Sequence, residues 1–208
     1  MGESYSLPNM AKLGLYKLIG TKNHLPNILV KGCYGKMMTK SPAKDTTAGR
    51  WEMAGIILKK PFPAYPNGFS KKIIEKFEQK IGTHILSNVV ASGTEIIKEL
   101  GKEHERTGFS IVYSSADSVF QIAAHKQVFG LKRLYEACQI ARDLLNGDNA
   151  VGRIIARPFI GTNGNYTRIS NRKDYSLTPP ETTILDEIKT SGADVVAIGK
   201  VSDISCRF

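Results

Sequence analysis

Twelve consecutive residues, Ser41-Pro-Ala-Lys-Asp-Thr-Thr-Ala-Gly-Arg-Trp-Glu52, hold the chain's only tryptophan and its most chemically specific cluster. Lys44 and Asp45 flank two hydroxyls, Thr46 and Thr47; the small residues Ala48 and Gly49 follow, then Arg50, Trp51, Glu52 and an apolar run to Leu58. A hydroxyl set where a loop turns into a helix sits among free backbone N–H groups at the positive end of the helix dipole. That is a good seat for a phosphoryl group carried on Thr46. Lys44 and Arg50 could add charge-assisted donors. The plain alternative is a helix N-cap, with Asp45 or Thr46 capping and Trp51 packing. Caps are common and phosphothreonine chemistry is rare, so the local pattern alone favours the cap.

One further place carries polar groups suited to a ligand. Ser114-Ser-Ala-Asp117-Ser-Val119 ends a strand in small and polar residues, and strand ends of α/β sheets often bind ligands. Asp117 could accept from a sugar hydroxyl, or equally cap a helix over 118–124. Arg153 lies in the strand-like run Val151-Gly-Arg-Ile-Ile-Ala-Arg157, and taken singly a strand arginine is more often a surface residue snorkelling off its sheet. Of the histidines, His24, His84 and His104 read as surface or loop residues, and His125 as structural; neither His24 nor His125 has a carboxylate or a second His at metal-ligand spacing.

The elements that must position these groups alternate in period. Apolar residues at Ile73, Ile74, Phe77 and Ile81 predict a helix over 71–81, and Leu131 to Leu145 a second one, stopped by Gly147. Ser92-Gly-Thr-Glu95 has capping-box spacing and opens a helix through Leu100. Strands are predicted at 84–90, at 109–114, at 151–157 (ended by Pro158) and in a short last one from Tyr166. A helix over 7–19 opens at Pro8, another spans 182–189, and Ala193–Gly199 reads as a buried strand. Alternating strands and helices argue for an α/β layer. Proline-rich stretches at 59–69 and 171–180 enclose roughly 110 residues, the size of a domain. The expected organisation is therefore a domain at 61–180 inserted between portions of another at 1–60 and 181–208.

The 208 residues are 41% hydrophobic and 23% charged, as in globular proteins, with no apolar run long enough to span a bilayer. Cys33, Cys138 and Cys206 are odd in number and widely spaced, which suggests reduced thiols in a cytoplasmic protein. The net charge of +10 admits a basic nucleic-acid-binding module, but the basic residues are scattered and carry no RNA-binding or helix-turn-helix signature. No nucleic-acid or membrane partner is expected.

The Thr46 segment resembles the phosphothreonine segment of the phosphopentomutases, a mutase family of the alkaline-phosphatase superfamily, which reads approximately K-S-x-G-K-D-T-x-T-G-H-W-E-x-x-G. Ala43, Ala48 and Arg50 depart from it. The text Tyr113 to His125, Ala91 to Gly101, Val151 to Gly161, Gly164 to Arg168 and Asn171 to Tyr175 resembles the family's cap, and Ala197-Ile-Gly-Lys200-Val-Ser-Asp-Ile204 its returning core. The resemblance implies a partial alkaline-phosphatase-like α/β core with an inserted α/β cap. It implies interconversion of ribose or deoxyribose 1-phosphate with the 5-phosphate through phospho-Thr46 and a 1,5-bisphosphate. Asp117, Arg153, Ile155 and Arg168 would line the substrate side of the cap, with Arg153 and Arg168 on the distal phosphate, and Lys200 would lie near the substrate. Two Mn2+ ions and a ribose or glucose 1,5-bisphosphate activator are implied for the complete enzyme. Of its metal-binding groups only Thr46 has a match here; the family's D-S-x-G-I-G motif and C-terminal Asp and His ligands do not. The expectation is a piece covering the middle of such an enzyme, with a non-catalytic phosphosugar-binding remnant as the alternative.

Overall fold

Strand alternation sorts the side chains of a single mixed sheet into two sets with different duties. The computed structural model describes residues 7–20, 28–42 and 45–199. Its sheet has six strands: β1 (Ile85–Val90), β2 (Ser110–Ser114), β3 (Val119–His125), β4 (Arg153–Thr162), β5 (Asn165–Arg168) and β6 (Lys173–Ser176). They lie in the order β1-β2-β3-β4-β5, with β6 also paired to β4. The β1–β2 and β3–β4 pairs are parallel; β2–β3, β4–β5 and β4–β6 are antiparallel.

Register places Val112 beside Ile122, and Phe120 and Ile122 beside Ile154 and Ala156. This face, apolar at these positions, is covered by α4 (Lys71–Ile81) and α6 (Leu131–Leu144), through Phe77, Leu134, Cys138 and Ala141. The opposite face carries Tyr113 beside Gln121, Val119 beside Arg153, and Gln121 beside Ile155, which in turn pairs with Asp174. There α5 (Gly93–Thr107) sets Ile96 and Ile97 on Ile111, Ala123 and Phe159. Beyond its first turn lie the polar residues of that face.

α3 (Thr46–Met53) precedes the proline-rich stretch and α7 (Ile184–Thr190) follows the sheet. Thr183 and Asp186 form a reciprocal capping box at α7. Contacts divide the chain into a unit up to Thr39 and one from Lys40 onward. The first contains α1 (Pro8–Lys12) and α2 (Leu15–Ile19). Where the pattern predicts one helix over 7–19, Gly14 takes φ +93° and breaks it, and a Cβ there would collide with the Tyr34 ring.

Four other expectations change. The run 118–124 is the buried strand β3, so Asp117 caps no helix there. β4 continues through Pro158 to Thr162. On that side of β4 the pairing passes from β6, last at Ala156–Lys173, to β5, first at Phe159–Arg168, so the missing N–H falls in the interval. The short strand at Tyr166 is not the last, since β6 follows within the proline-bounded stretch. Residues 193–199 form no strand; Val196 and Ile198 are 80% and 84% exposed, and no strand among the described residues pairs with them. Among the described residues no helix is long and apolar enough to cross a membrane.

Candidate functional site

The first turn of α3 is built by its neighbours in sequence. Asp45 is the N-cap: its Oδ1 accepts from the Thr47 N–H at 2.7 Å, leaving Thr46 as the first helical residue. Thr46 is exposed, whereas Thr47, Ala48 and Trp51 are buried. Trp51 anchors the helix edge-on against Phe62, with ring centroids 5.6 Å apart. Glu52 accepts from the Lys40 and Ser41 N–H groups at 2.7 and 2.8 Å and ties down the incoming chain. The Ser41 hydroxyl, and after it those two amides, hold the Glu52 carboxyl below the usual carboxylate range. The cap of the plain reading is therefore real, and it is what leaves Thr46 facing outward.

What Thr46 faces is a cavity of about 440 Å3. Its walls are Thr46 and Arg50 of α3, Ala91, Ser92 and Gly93 where α5 begins, Ser115 and Asp117 after β2, Val119 and Gln121 of β3, Arg153, Ile155 and Arg157 of β4, and Arg172 before β6. Gly152 lets the two sides meet: a Cβ there would lie 2.9 Å from Asp45 Oδ1 and 3.3 Å from the Phe62 ring. The Ser118 hydroxyl fixes the same corner, donating to the Pro63 carbonyl at 2.6 Å.

Four of the six sequence-derived site residues, Thr46, Asp117, Arg153 and Ile155, line this one cavity. Arg168 does not; it is exposed on β5, paired with Phe159. Lys200 lies outside the described residues, as do Lys44 and His24. Sequence reasoning singled out neither Arg157, Arg172, Gln121 nor Asp174 as site groups. The missing signal was period two: Arg153-x-Ile155-x-Arg157, Val119-x-Gln121 and Arg172-x-Asp174 each keep to one face.

The electrostatics centre on Asp174, a carboxylate 4% exposed. Arg172 donates to it from Nε and Nη2, both at 2.6 Å, and Arg153 Nη1 donates at 3.3 Å. Arg153 Nη2 also lies 3.9 Å from Asp117 Oδ2. Arg157 makes a different contact, donating from Nε to Gln121 Oε1 at 3.0 Å. Burial pushes the Arg157 guanidinium below the ordinary arginine range. With four arginines on its wall and Asp117 and Asp174 as the compensating carboxylates, the cavity is set to receive an anion.

A metal centre fits the described residues poorly. No group of three or more His, Cys, Asp or Glu is assembled among them. Thr46 can offer one oxygen. His104, expected at the surface, is instead fully buried: Nδ1 donates to the Phe109 carbonyl at 2.6 Å and Nε2 accepts from the His125 N–H at 2.8 Å.

No family model matches the chain. Over 198 residues, 95% of this chain, it is 59% identical to the phosphopentomutase of Caldanaerobacter subterraneus subsp. tengcongensis, of which it covers 50%. It is 56% identical to the phosphopentomutases of Carboxydothermus hydrogenoformans and Acetivibrio thermocellus, over 96% of this chain and 52% of each of them. The chain thus spans about half the length of the curated relatives it matches, and within that span it is homologous to phosphopentomutases.

Proposed function

We propose that this chain carries the phosphoryl-transfer threonine and the substrate cleft of a phosphopentomutase, an intramolecular phosphotransferase that interconverts (deoxy)ribose 1-phosphate and (deoxy)ribose 5-phosphate. The observation that carries the reading is the placement of Thr46, Asp117, Arg153 and Ile155 around one cavity. In this reading residues 61–180 are the cap and 1–60 and 181–208 are core portions. Manganese, the bisphosphate activator, a cytoplasmic setting and the role of Lys200 belong to the same proposal.

The chemistry is two transfers at one oxygen. The phosphoryl group on Thr46 Oγ passes to a hydroxyl of the bound pentose monophosphate. The Oγ–P bond breaks, a sugar O–P bond forms, and the sugar's hydroxyl proton leaves for the threonine oxygen, giving the 1,5-bisphosphate. After the sugar turns end for end, its other phosphoryl group returns to Thr46 Oγ and the proton moves back to the sugar oxygen. This chain's own residues would position the reactants. The first turn of α3 presents Thr46 with backbone N–H groups around it. Asp117 accepts from a sugar hydroxyl, Ile155 packs on the ring, and the arginines hold the phosphate that is not reacting.

The test is calorimetric titration of the 208-residue chain with ribose 5-phosphate and, separately, with ribose. Saturable heat with the phosphate alone is expected. Equal or absent heats for the two sugars contradict the reading. Binding without turnover when Mn2+ and activator are supplied would select the non-catalytic phosphosugar-binding alternative.

A further inference from the structure

The sheet face opposite the Thr46 cavity is covered by α4 and α6, and these two helices leave a seam between them. They run antiparallel: the start of α4 meets Leu144 at the end of α6, while Lys80 and Ile81 at its other end meet the start of α6. A hollow opens at each end of the seam, of about 570 Å3 beside Phe129 and about 270 Å3 beside Ser70. Ile81 and Ile140 line the larger, Ile73 and Leu144 the smaller. All four side chains are half-buried and pack on the core beneath.

The charges of α4 are sorted across its two sides. Lys72, Lys76 and Lys80 recur at every fourth residue and line the hollows on the α6 side. Glu75 and Glu78 turn the other way, toward His84 and Phe109. There Glu75 pairs with Lys71 at 3.6 Å, and Glu78 lies 3.4 Å from His84 Nδ1. Among the described residues no carboxylate lies within ion-pair distance of Lys72, Lys76 or Lys80. Like charges four residues apart on a helix repel, so the stripe is uncompensated within the chain. α6 adds Lys132 and Arg133, whose guanidinium carbon sits 4.4 Å over the Phe129 ring. The one carboxylate lining either hollow is Glu136, 4.0 Å from Lys132. The seam is thus aliphatic along its floor and cationic along its rim.

We propose that the α4–α6 seam docks an acidic amphipathic helix of a partner protein, its apolar residues on Ile73, Ile81, Ile140 and Leu144 and its carboxylates on the lysine stripe. From Lys72 to Lys80 the stripe spans about 12 Å, a little over two helical turns. That length suits a helix anchored at i, i+3 or i+4, and i+7. The floor decides among anionic partners. Nucleic acid would set phosphates against half-exposed aliphatic side chains, and Phe129, 5% exposed and faced by Arg133, offers no ring for a base to stack on. Membrane binding needs apolar groups that protrude into the lipid, whereas these are recessed between two helices. The seam and the Thr46 cavity lie on opposite faces of the sheet, so docking here stands apart from the phosphopentomutase reading.

The test uses two synthetic fluorescein-labelled peptides of about fourteen residues and identical composition. One sets its leucines along a single helical stripe among glutamates; the other scatters them. Fluorescence anisotropy follows each onto the full chain, onto K76E/K80E, and onto K98E/K102E, which makes the same charge change on α5, across the sheet from the seam. Thermal unfolding checks the fold, and K76Q/K80Q replaces K76E/K80E if that variant unfolds. Saturable binding of the striped peptide is expected, roughly 10-fold weaker for the scattered one, with roughly 10-fold loss in K76E/K80E and near-wild-type affinity in K98E/K102E. No binding of the striped peptide, equal binding of the two peptides, unchanged binding in K76E/K80E or an equal loss in K98E/K102E overturns the docking site. Tighter binding of single-stranded DNA or of phosphatidylglycerol vesicles than of the striped peptide, lost in K76E/K80E, also overturns it and makes the seam a nucleic-acid or membrane surface instead.

Discussion

Asp174 grips Arg172 with two parallel hydrogen bonds, Nε to Oδ1 and Nη2 to Oδ2, each 2.6 Å long. The fork-to-carboxylate geometry fixes the guanidinium plane as no single contact could. Because Oδ2 also receives Arg153, one carboxylate sets two of the arginines on the cavity wall. Exchanging that carboxylate for an amide leaves two cations facing a neutral group. D174N is expected to destabilise the chain by about 3 kcal/mol, read as a lower midpoint in urea unfolding. A loss below about 0.5 kcal/mol, within the range of ordinary surface changes, would show that the pair contributes little.

Gly152 predicts a local effect on Thr46. Its missing Cβ leaves room for Asp45 Oδ1 and the Phe62 ring. In G152A the cap must shift to avoid a 2.9 Å approach, and Thr46 shifts with it. The expected cost is about 1–3 kcal/mol of stability. Trp51 fluorescence should be displaced as well, because Trp51 packs on the same Phe62. An unchanged emission maximum and unchanged stability would contradict this arrangement.

The buried His104 gives stability a pH dependence of definite sign. Burial pushes it below the ordinary value of 6.5, and both ring nitrogens are engaged in the neutral form. Protonation would turn Nε2 from an acceptor into a donor facing the His125 N–H. The unfolded chain therefore binds the proton first as pH falls. Stability is full above about pH 6.5 and declines below it toward the folded-state pKa, by at most about 1.4 kcal/mol per pH unit for one proton. Urea midpoints measured on either side of that pH report the decline, and H104Q should flatten it. The lowered carboxyls of Glu52 and Glu103 act in a separate window, below their ordinary 4.5.

Local sequence logic reached the elements whose cause is local. The Asp45 cap, the Trp51 anchor and the apolar stripes of α4 and α6 follow from neighbours in the chain. It also reached β1 and β2, whose apolar runs are bounded by polar residues. It did not reach relations set by strand pairing. Pro158 reads as a stop until its partners are known, and Asp117-Ser118 reads as a helix start until β3 is seen between β2 and β4. His104 looks like one polar position on an amphipathic helix, yet Phe109 and His125 bury it. Arg157 shows the same limit at the site: it lies inside a recognised motif, but its hydrogen-bond partner, Gln121, is supplied by the neighbouring strand β3.

The central claim is that a sugar phosphate enters the cavity between Thr46 and the β4 arginines. The most direct measurement is an amide chemical-shift map of the 15N-labelled chain with ribose 5-phosphate added stepwise. The account predicts saturable shifts gathered at Thr46–Ala48, Ser92–Thr94, Asp117–Gln121 and Arg153–Arg157, with the α4–α6 face unmoved. Shifts spread over scattered lysines, or none at these four places, would contradict it.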